Sequence, residues 1–311
     1  MTELRTDTMY RVRENTIETV GGVETHYWEY LPAHPIDDVV AYTTGGWPVD
    51  STWLEDIIEG LVESGVPVVR YDQRGAGVSG HPRRTSQYTM PKLAQELDAV
   101  IDATAAGRTI YVFGEAWAAN IAAEHIHRFP GKIDTLISVG SPSLDMAFTA
   151  LRRQTRRAIG EKSLRKQVAF QWAVLWYWFA LALPVLPELV FATGLPTAGL
   201  NRMLTRLDQR GGKPNAEPFR TTKADAAQGS LKYRWFIRHR SFTPAYDELR
   251  VNHLRVIQLD GERLSTPLLL EGLGDRTPDL RVTHLDADHF NFRYGKTGTA
   301  IEKEIRNAIA S

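Results

Sequence analysis

A histidine and a nearby acid follow the last two predicted strands, in the chain order that a general base and its orienting carboxylate require. His289 follows the predicted strand 280–285, and Glu262 follows the predicted strand 256–259. A carboxylate that accepts from one imidazole nitrogen leaves the other nitrogen free to take a proton. Asp260 lies two residues before Glu262 and could serve as the acid instead. The pattern predicts general acid–base chemistry at this pair.

The segment 111–118 places a sharp turn between a predicted strand and a predicted helix. A turn of this kind holds a nucleophile at its tip, above the end of the sheet. The residue at the tip is Ala116, whose methyl group cannot form a covalent intermediate. Glu115 is a candidate replacement acid or base, although the residue before the tip usually points into the sheet or into a packed turn.

Two glycine-containing runs follow other predicted strands. Residues 44–48, Thr-Gly-Gly-Trp-Pro, would place backbone N–H groups beside the elbow and supply an oxyanion hole. Residues 72–79 contain a Gly-x-Gly pair, but no third glycine at dinucleotide spacing and no helix directly after it. We therefore interpret the second run as a structural loop.

The elements that must position these residues alternate between strand and helix. Two short β-rich runs occupy residues 15–31, and the alternation proper begins after them. The predicted strands are 39–43, 66–71, 109–113, 133–139, 256–259 and 280–285, and the predicted helices are 53–63, 88–104, 116–129, 268–273 and 299–310. This order indicates an α/β fold with a mostly parallel sheet that helices flank on both faces.

The alternation is interrupted between residues 143 and 248. This segment begins with a basic stretch and becomes strongly apolar from residue 168 to residue 195. We interpret it as a helical cap inserted into a core made of residues 1–142 and 249–311. The apolar run is close to the roughly 20 residues that span a bilayer, but Pro184 and Pro187 interrupt it. A buried cap is therefore expected, with contact at a membrane surface, not spanning, as the alternative.

Composition narrows the functional classes. The chain has 311 residues and no cysteine, which excludes disulfides, cysteine-ligated metals and a thiol nucleophile. Its 37 basic and 37 acidic side chains balance, which argues against nucleic-acid binding. No motif predicts a metal or a cofactor, and a homodimer is left open. The polar, acid-containing N-terminus lacks the profile of a secretory signal, so the cytoplasm is the default location.

Taken together, the motifs resemble the epoxide hydrolases of the α/β-hydrolase superfamily. The resemblance is greatest to the branch whose hydrolase domain is often fused to a short-chain dehydrogenase. The matching segments are residues 70–77, the elbow with Trp117, the pair Trp176-Tyr177, and residues 183–189 and 267–273. The resemblance implies an α/β-hydrolase fold with an inserted helical cap.

In that family an elbow aspartate attacks the epoxide carbon while two cap tyrosines bind the epoxide oxygen. The resemblance implies the tyrosine roles for Tyr177 and Tyr233, the base for His289 and the acid for Glu262. It also assigns substrate contacts to the oxyanion turn, the elbow and the cap. These candidate contacts are Gly45, Gly46, Trp47, Trp117, Trp176 and Glu115.

The chain departs from the family pattern at four positions. Ala116 stands at the nucleophile position, Glu115 precedes it, Ala118 replaces a helix-packing glycine, and Thr44 replaces a histidine before the oxyanion glycine. Ala116 is either an inactivating substitution of aspartate or serine, or a result of natural divergence. The accompanying departures favour divergence.

The function expected from these observations is the opening of an epoxide in a hydrophobic small molecule. The attacking group would be water or an internal hydroxyl. The alternatives are a lyase, isomerase or cyclase that needs no protein nucleophile, and a ligand-binding protein without catalytic activity. Six of the eight tryptophans lie near the expected cavity, which favours a large apolar substrate.

Overall fold

The computed structural model describes residues 2–6, 9–210 and 221–310. Within these residues one sheet of nine strands has the order β1-β2-β3-β5-β4-β6-β7-β8-β9. The strands are β1 (Thr2–Thr6), β2 (Tyr10–Thr19), β3 (Val23–Pro32), β4 (Val39–Thr44), β5 (Val68–Tyr71), β6 (Thr109–Glu115), β7 (Thr135–Val139), β8 (His253–Leu259) and β9 (Leu280–Leu285).

The sheet changes from antiparallel to parallel at β5. Strands β1, β2 and β3 pair antiparallel, and β3 also pairs antiparallel with β5. From β5 through β4 and on to β9 every neighbouring pair is parallel. Strands β4 and β5 are buried along their whole length, as expected for parallel strands that helices cover on both faces. The mostly parallel α/β sheet predicted from the sequence is confirmed.

Eleven α-helices lie in the described part of the chain. They are α1 (Glu55–Glu63), α2 (Met90–Thr104), α3 (Trp117–Arg128), α4 (Leu144–Gly160), α5 (Arg165–Val174), α6 (Trp176–Ala182), α7 (Leu186–Ala192), α8 (Leu195–Arg210), α9 (Lys223–Gly229), α10 (Leu231–His239) and α11 (Gly295–Ala310). The helix predicted at 268–273 is wrong. A single 3₁₀ turn, Pro267–Leu270, stands there, and Gly272 at φ +76° turns the chain away.

The helices belong to two separate apolar clusters, and only one of these clusters includes many residues of the inserted helices. Helices α1 and α11 pack in one apolar cluster. Helices α2 and α3 lie in a second cluster, which also takes in Phe148, Trp178 and Phe236 from the inserted helices. The inserted segment therefore shares a hydrophobic core with the second face of the sheet.

A buried ion network ties the inserted helices to the sheet layer. The guanidinium of Arg240, directly after α10, donates to Asp145 of α4 and to Glu124 of α3, each at 3.0 Å. These three side chains are nearly inaccessible to solvent. Breaking such a buried network by removing one partner leaves an uncompensated charge, so the network holds α4 and α10 against α3.

The apolar stretch of the insertion is less buried than the sequence indicates. No single helix in the described ranges is long and apolar enough to cross a bilayer; Lys162–Ala182 and Leu186–Ala192 reach that length and composition only as a pair, bent by 87°. Leu183, Val185 and Leu189 are exposed. The expectation of a buried stretch is wrong for this outer side, because the chain bends there and no second layer of the described residues covers it.

Candidate active site

The elbow joins β6 to α3 through Ala116, whose backbone lies at φ +49° and ψ −110°. A non-glycine residue in this region is strained and usually marks a functional turn. Gly114 permits the turn, since a Cβ at this position would overlap the Cβ of Ala118. The absence of a side chain at Gly114 leaves room for the methyl group of Ala118. The tip keeps the geometry of a nucleophile turn although its side chain offers no nucleophile.

His289 and Glu262 meet as the sequence order predicts. His289 Nδ1 lies 2.8 Å from Glu262 Oε2, and the N–H of Leu264 donates to Glu262 Oε1 at 2.6 Å. Asp260 is instead paired with His284 Nδ1 at 2.9 Å, and both side chains are exposed. The structure therefore places Glu262 and not Asp260 beside His289.

Glu115 is turned into the cavity, contrary to the expectation that the residue before the tip points into the sheet. Its Oε1 lies 3.4 Å from His289 Nδ1, on the same ring nitrogen that contacts Glu262. Two carboxylates therefore face one N–H of the imidazole, and Nε2 is the nitrogen left for a substrate. The sequence could not show this orientation, because it depends on how β6 twists into the elbow.

The three groups shift one another's protonation. Burial works to lower the pKa of His289, but the carboxylates of Glu115 and Glu262 outweigh burial and raise that pKa to about 9. Burial raises the pKa of Glu115 to about 7, with His289 opposing and Glu262 reinforcing the shift. Burial also acts to raise the pKa of Glu262, but the hydrogen bonds from His289 and nearby backbone N–H groups prevail and lower it. Glu262 is therefore the permanently charged partner.

Gly45 and Gly46 of the turn 44–48 were expected to contact the substrate, but they are not among the residues that line the cavity. At Gly45 a Cβ would collide with the backbone carbonyl of Asp50, which explains the glycine. At Gly46 a Cβ would lie 3.6 Å from Glu115 Oε2, so this glycine faces the acid cluster. Thr44, at the family's histidine position, donates from Oγ1 to the carbonyl of Tyr71 at 2.7 Å. Trp47 and Pro48 are the residues of this turn that line the cavity.

A lysine that sequence reasoning missed lies behind this turn. Lys232 Nζ donates to Gln73 Oε1 at 2.7 Å and to the carbonyl of Gly46 at 3.2 Å, and it lies 5.1 Å from the ring centroid of Trp117. The side chain is 2% exposed, and burial lowers its pKa to about 7. A lysine in an amphipathic helix is normally expected at the surface, so no feature of the sequence indicated that Lys232 is buried.

The loop 72–79 is structural, as interpreted from the sequence. Asp72 accepts from the N–H of Ser51 at 2.9 Å and from the N–H of Val78 at 3.0 Å. The N–H of Arg74 donates to buried Glu96 at 3.1 Å. These hydrogen bonds anchor the loop to the neighbouring segments that contain Ser51 and Glu96.

Tyr177 and Tyr233 come together over the cavity, with ring centroids 6.2 Å apart. The Tyr233 ring lies among three indoles, with centroid distances of 5.1 Å to Trp47, 4.9 Å to Trp117 and 4.6 Å to Trp178. Burial raises the pKa of Tyr177 to about 12, and burial also raises the pKa of Tyr233 well above the usual range of a tyrosine. Both phenols therefore stay protonated and can act as hydrogen-bond donors.

One cavity of about 570 Å³ collects most of these groups. Its lining is mainly apolar, and its volume suits a small-molecule ligand. The predicted site residues on its wall are Trp47, Glu115, Ala116, Trp117, Trp176, Tyr177, Tyr233, Glu262 and His289. Trp176 borders the opening, with 68% of the residue exposed. In the part of the chain that the structure describes, no set of His, Asp and Glu side chains is arranged to hold a metal ion.

Sequence and structure comparisons give related proteins. Over 160 residues the chain is 31% identical to the protein named "Probable oxidoreductase EphD" of Mycobacterium tuberculosis, and the aligned part is 50% of this chain. The alignment covers 26% of that protein, so the chain matches about a quarter of the length of this relative.

Solved structures agree with the chain over nearly its full length. An epoxide hydrolase mutant from Vigna radiata has a TM-score of 0.71 at 18% identity and covers 96% of this chain and 98% of its own. A Bacillus megaterium epoxide hydrolase bound to an inhibitor has a TM-score of 0.70 at 16% identity and covers 96% and 100%. At these identities the likeness establishes the fold.

A family model described as alpha/beta hydrolase fold matches residues 44–295, and the chain belongs to this family of hydrolases.

Proposed function

We propose that this protein opens the epoxide ring of a hydrophobic small molecule without forming a covalent enzyme intermediate. The proposal is carried by one observation: two protonated tyrosines and a histidine held by carboxylates line the same apolar cavity. Phenol donors suit a developing alkoxide, and an imidazole suits the proton of an attacking hydroxyl. The structural likeness to epoxide hydrolases supports the choice of electrophile.

The proposed reaction uses His289, one of the two cavity tyrosines and a water molecule. The oxygen of a water molecule attacks an epoxide carbon as the ring C–O bond breaks. Nε2 of neutral His289 takes the water proton, while Tyr177 or Tyr233 gives its phenolic proton to the departing alkoxide oxygen. The proton on His289 then returns to the tyrosinate through solvent, and the sum is epoxide plus water giving a diol. A hydroxyl within the substrate can replace water, and the product is then a cyclic ether bearing the new alcohol.

Glu115 acts on His289 rather than on the substrate in this scheme. It lies on the Nδ1 side of the ring, away from the nitrogen that would meet water. Its negative charge stabilises the imidazolium and makes neutral His289 a stronger base. Because the reacting form of His289 is neutral and its pKa is about 9, we expect the rate of ring opening to increase as the pH rises towards 9.

The route of oxygen transfer tests the proposal directly. Enzyme in excess is mixed with styrene oxide or a long-chain terminal epoxide in H₂¹⁸O, and the diol of the first turnover is analysed by mass spectrometry. Direct attack by water places ¹⁸O in that diol. A covalent route would instead deliver an unlabelled oxygen from a carboxylate in the first turnover.

The Ala116→Asp variant is the matched control, because it restores a nucleophile at the strained tip. We expect its first-turnover diol to be unlabelled. His289→Ala and the double variant Tyr177→Phe/Tyr233→Phe are expected to lose diol formation by either route. Unlabelled diol from the wild-type protein, or ring opening that persists in His289→Ala, would refute the proposed mechanism. Cyclisation of a hydroxy-epoxide without diol formation would identify the internal hydroxyl as the attacking group.

A further inference from the structure

The inserted helices carry eight exposed apolar residues between positions 176 and 195, which we name the outer cap surface. It consists of Trp176, Phe179, Leu183, Val185, Leu186, Leu189, Val190 and Leu195. Val185 is 61%, Leu189 63% and Leu195 77% exposed. Single exposed apolar side chains are ordinary, but eight of them within a short stretch of chain are typical of an interaction site.

The exposed charges within residues 165–206, the stretch of chain that includes the outer cap surface, are of one sign. Between residues 165 and 206 the only acidic residue is Glu188. Its two carboxylate oxygens accept from the guanidinium of Arg234 at 2.6 and 2.8 Å, so its charge is compensated. The exposed charged residues of the same stretch are all basic, namely Arg165, Lys166, Arg202 and Arg206. A surface that is apolar and basic complements an anionic lipid headgroup layer.

The backbone presents this surface outward. Between α6 and α7 the chain passes through Val185 at φ +66°, an unusual conformation for a β-branched residue. The N–H of Leu189 donates to the carbonyl of Val185 at 3.0 Å, which fixes the turn to the start of α7. The bend between Lys162–Ala182 and Leu186–Ala192 is 87°. Two helical segments joined at such an angle do not form one straight helix, and they can rest side by side on a bilayer.

The outer cap surface is also continuous with the cavity wall. Trp176 belongs to both, since it is exposed and lines the cavity. Phe191 and Pro196 line the cavity, while their chain neighbours Val190 and Leu195 are exposed. The outer cap surface therefore borders the cavity that Tyr177, Tyr233 and His289 also line.

We propose that the outer cap surface lies on an anionic lipid bilayer, so that a lipophilic substrate enters the cavity from the membrane instead of from water. The apolar side chains reach the headgroup and acyl boundary, and the four basic side chains contact lipid phosphates. The docking does not depend on which reaction the cavity performs.

Vesicle binding tests the docking without any measurement of activity. The full chain is sedimented with vesicles of phosphatidylcholine alone and of phosphatidylcholine with one quarter phosphatidylglycerol. We expect binding to the anionic vesicles that weakens with added salt. The double variant Val185→Ser/Leu189→Ser should lower the partition coefficient about tenfold or more, because it removes two apolar anchors.

Val78→Ser is the matched control, because Val78 is the same residue type with 60% exposure on a loop of the sheet core. Its vesicle binding should equal that of the wild-type protein. Thermal unfolding of each variant verifies that the fold is intact. The proposal is overturned if the wild-type protein binds neither vesicle, or if the double variant binds as well as the control. It is also overturned if light scattering shows a dimer that only the double variant converts to a monomer, since a second copy then covers the surface.

Discussion

Replacing Lys232 by methionine should remove a strong pH dependence of stability. Lys232 is buried between the oxyanion turn and Trp117, and burial lowers its pKa from 10.5 to about 7, with the charge of Glu96 opposing the shift. In the unfolded chain the lysine regains its ordinary pKa. Between pH 7 and pH 10.5 the native lysine therefore holds fewer protons than the unfolded one, and the free energy of unfolding increases with pH.

The magnitude follows from the two pKa values. Each pH unit between them is worth about 1.4 kcal/mol, so the whole window corresponds to about 5 kcal/mol. Between pH 7.5 and pH 9.5 the free energy of unfolding of the wild-type protein should increase by about 3 kcal/mol relative to that of Lys232→Met. The variant leaves Gln73 Oε1 without its donor, which costs about 1 to 3 kcal/mol at every pH. Because that cost is the same at every pH, it shifts the difference in unfolding free energy between the two proteins by a constant. It does not change how this difference depends on pH.

Urea unfolding at half-unit pH steps measures the difference. The other titrating groups are present in both proteins, so their contributions cancel when the variant is subtracted from the wild type. Lys303→Met, at an exposed position of α11, is the control. The unfolding free energy of this variant relative to the wild type should not change with pH. If the unfolding free energy of Lys232→Met relative to the wild type also changes by less than about 1 kcal/mol from pH 7.5 to 9.5, the native site tolerates the charged ammonium group. The argument that burial lowers the pKa of Lys232 is then refuted.

Three further predictions concern the elbow and its acid. Glu115→Gln removes a carboxylate from the Nδ1 side of His289, so the pKa of His289 should fall below about 9 and the limb of the kcat/KM profile that rises with pH should move to lower pH; an unmoved limb contradicts an ionised Glu115. Ala116→Gly relieves the backbone strain at the tip and should raise the free energy of unfolding by about 1 kcal/mol in urea denaturation, whereas a loss would mean that the tip is unstrained. Gly114→Ala should cost about 1 to 3 kcal/mol through overlap with Ala118. In the same assay Gly114→Ala/Ala118→Gly should recover most of that cost, and failure to recover would place the clash elsewhere.

The sequence predicts most of the fold because its signals are local. Apolar runs of strand length alternate with amphipathic helical segments, and this alternation alone indicates a parallel sheet with helices on both faces. The prediction fails at residues 268–273, where leucines at helical spacing form only a single turn before Gly272. It also misses β1 and the start of β2, which form an antiparallel edge whose polar, mixed pattern carries a weak strand signal.

The candidate site was predictable in its parts but not in its arrangement. Chain order brings His289 and Glu262 together, as two strands of a parallel sheet end at the same edge. It cannot choose between Glu262 and Asp260, which are two residues apart and of the same chemical type. That choice depends on which carboxylate the loop after β8 turns toward the imidazole.

The sequence by itself determined that Ala116 offers no nucleophile, since the presence of a reactive atom is a property of the residue type. It also determined the order of the elements that bring the elbow, the acid and the base to one edge of the sheet. Only the tertiary structure decided that Glu115 faces His289, that Lys232 is enclosed behind the oxyanion turn, and that the outer side of the cap is exposed. These features depend on burial and on charges brought close in space by residues far apart in the chain, and such effects fall off over a few ångströms rather than over a few residues.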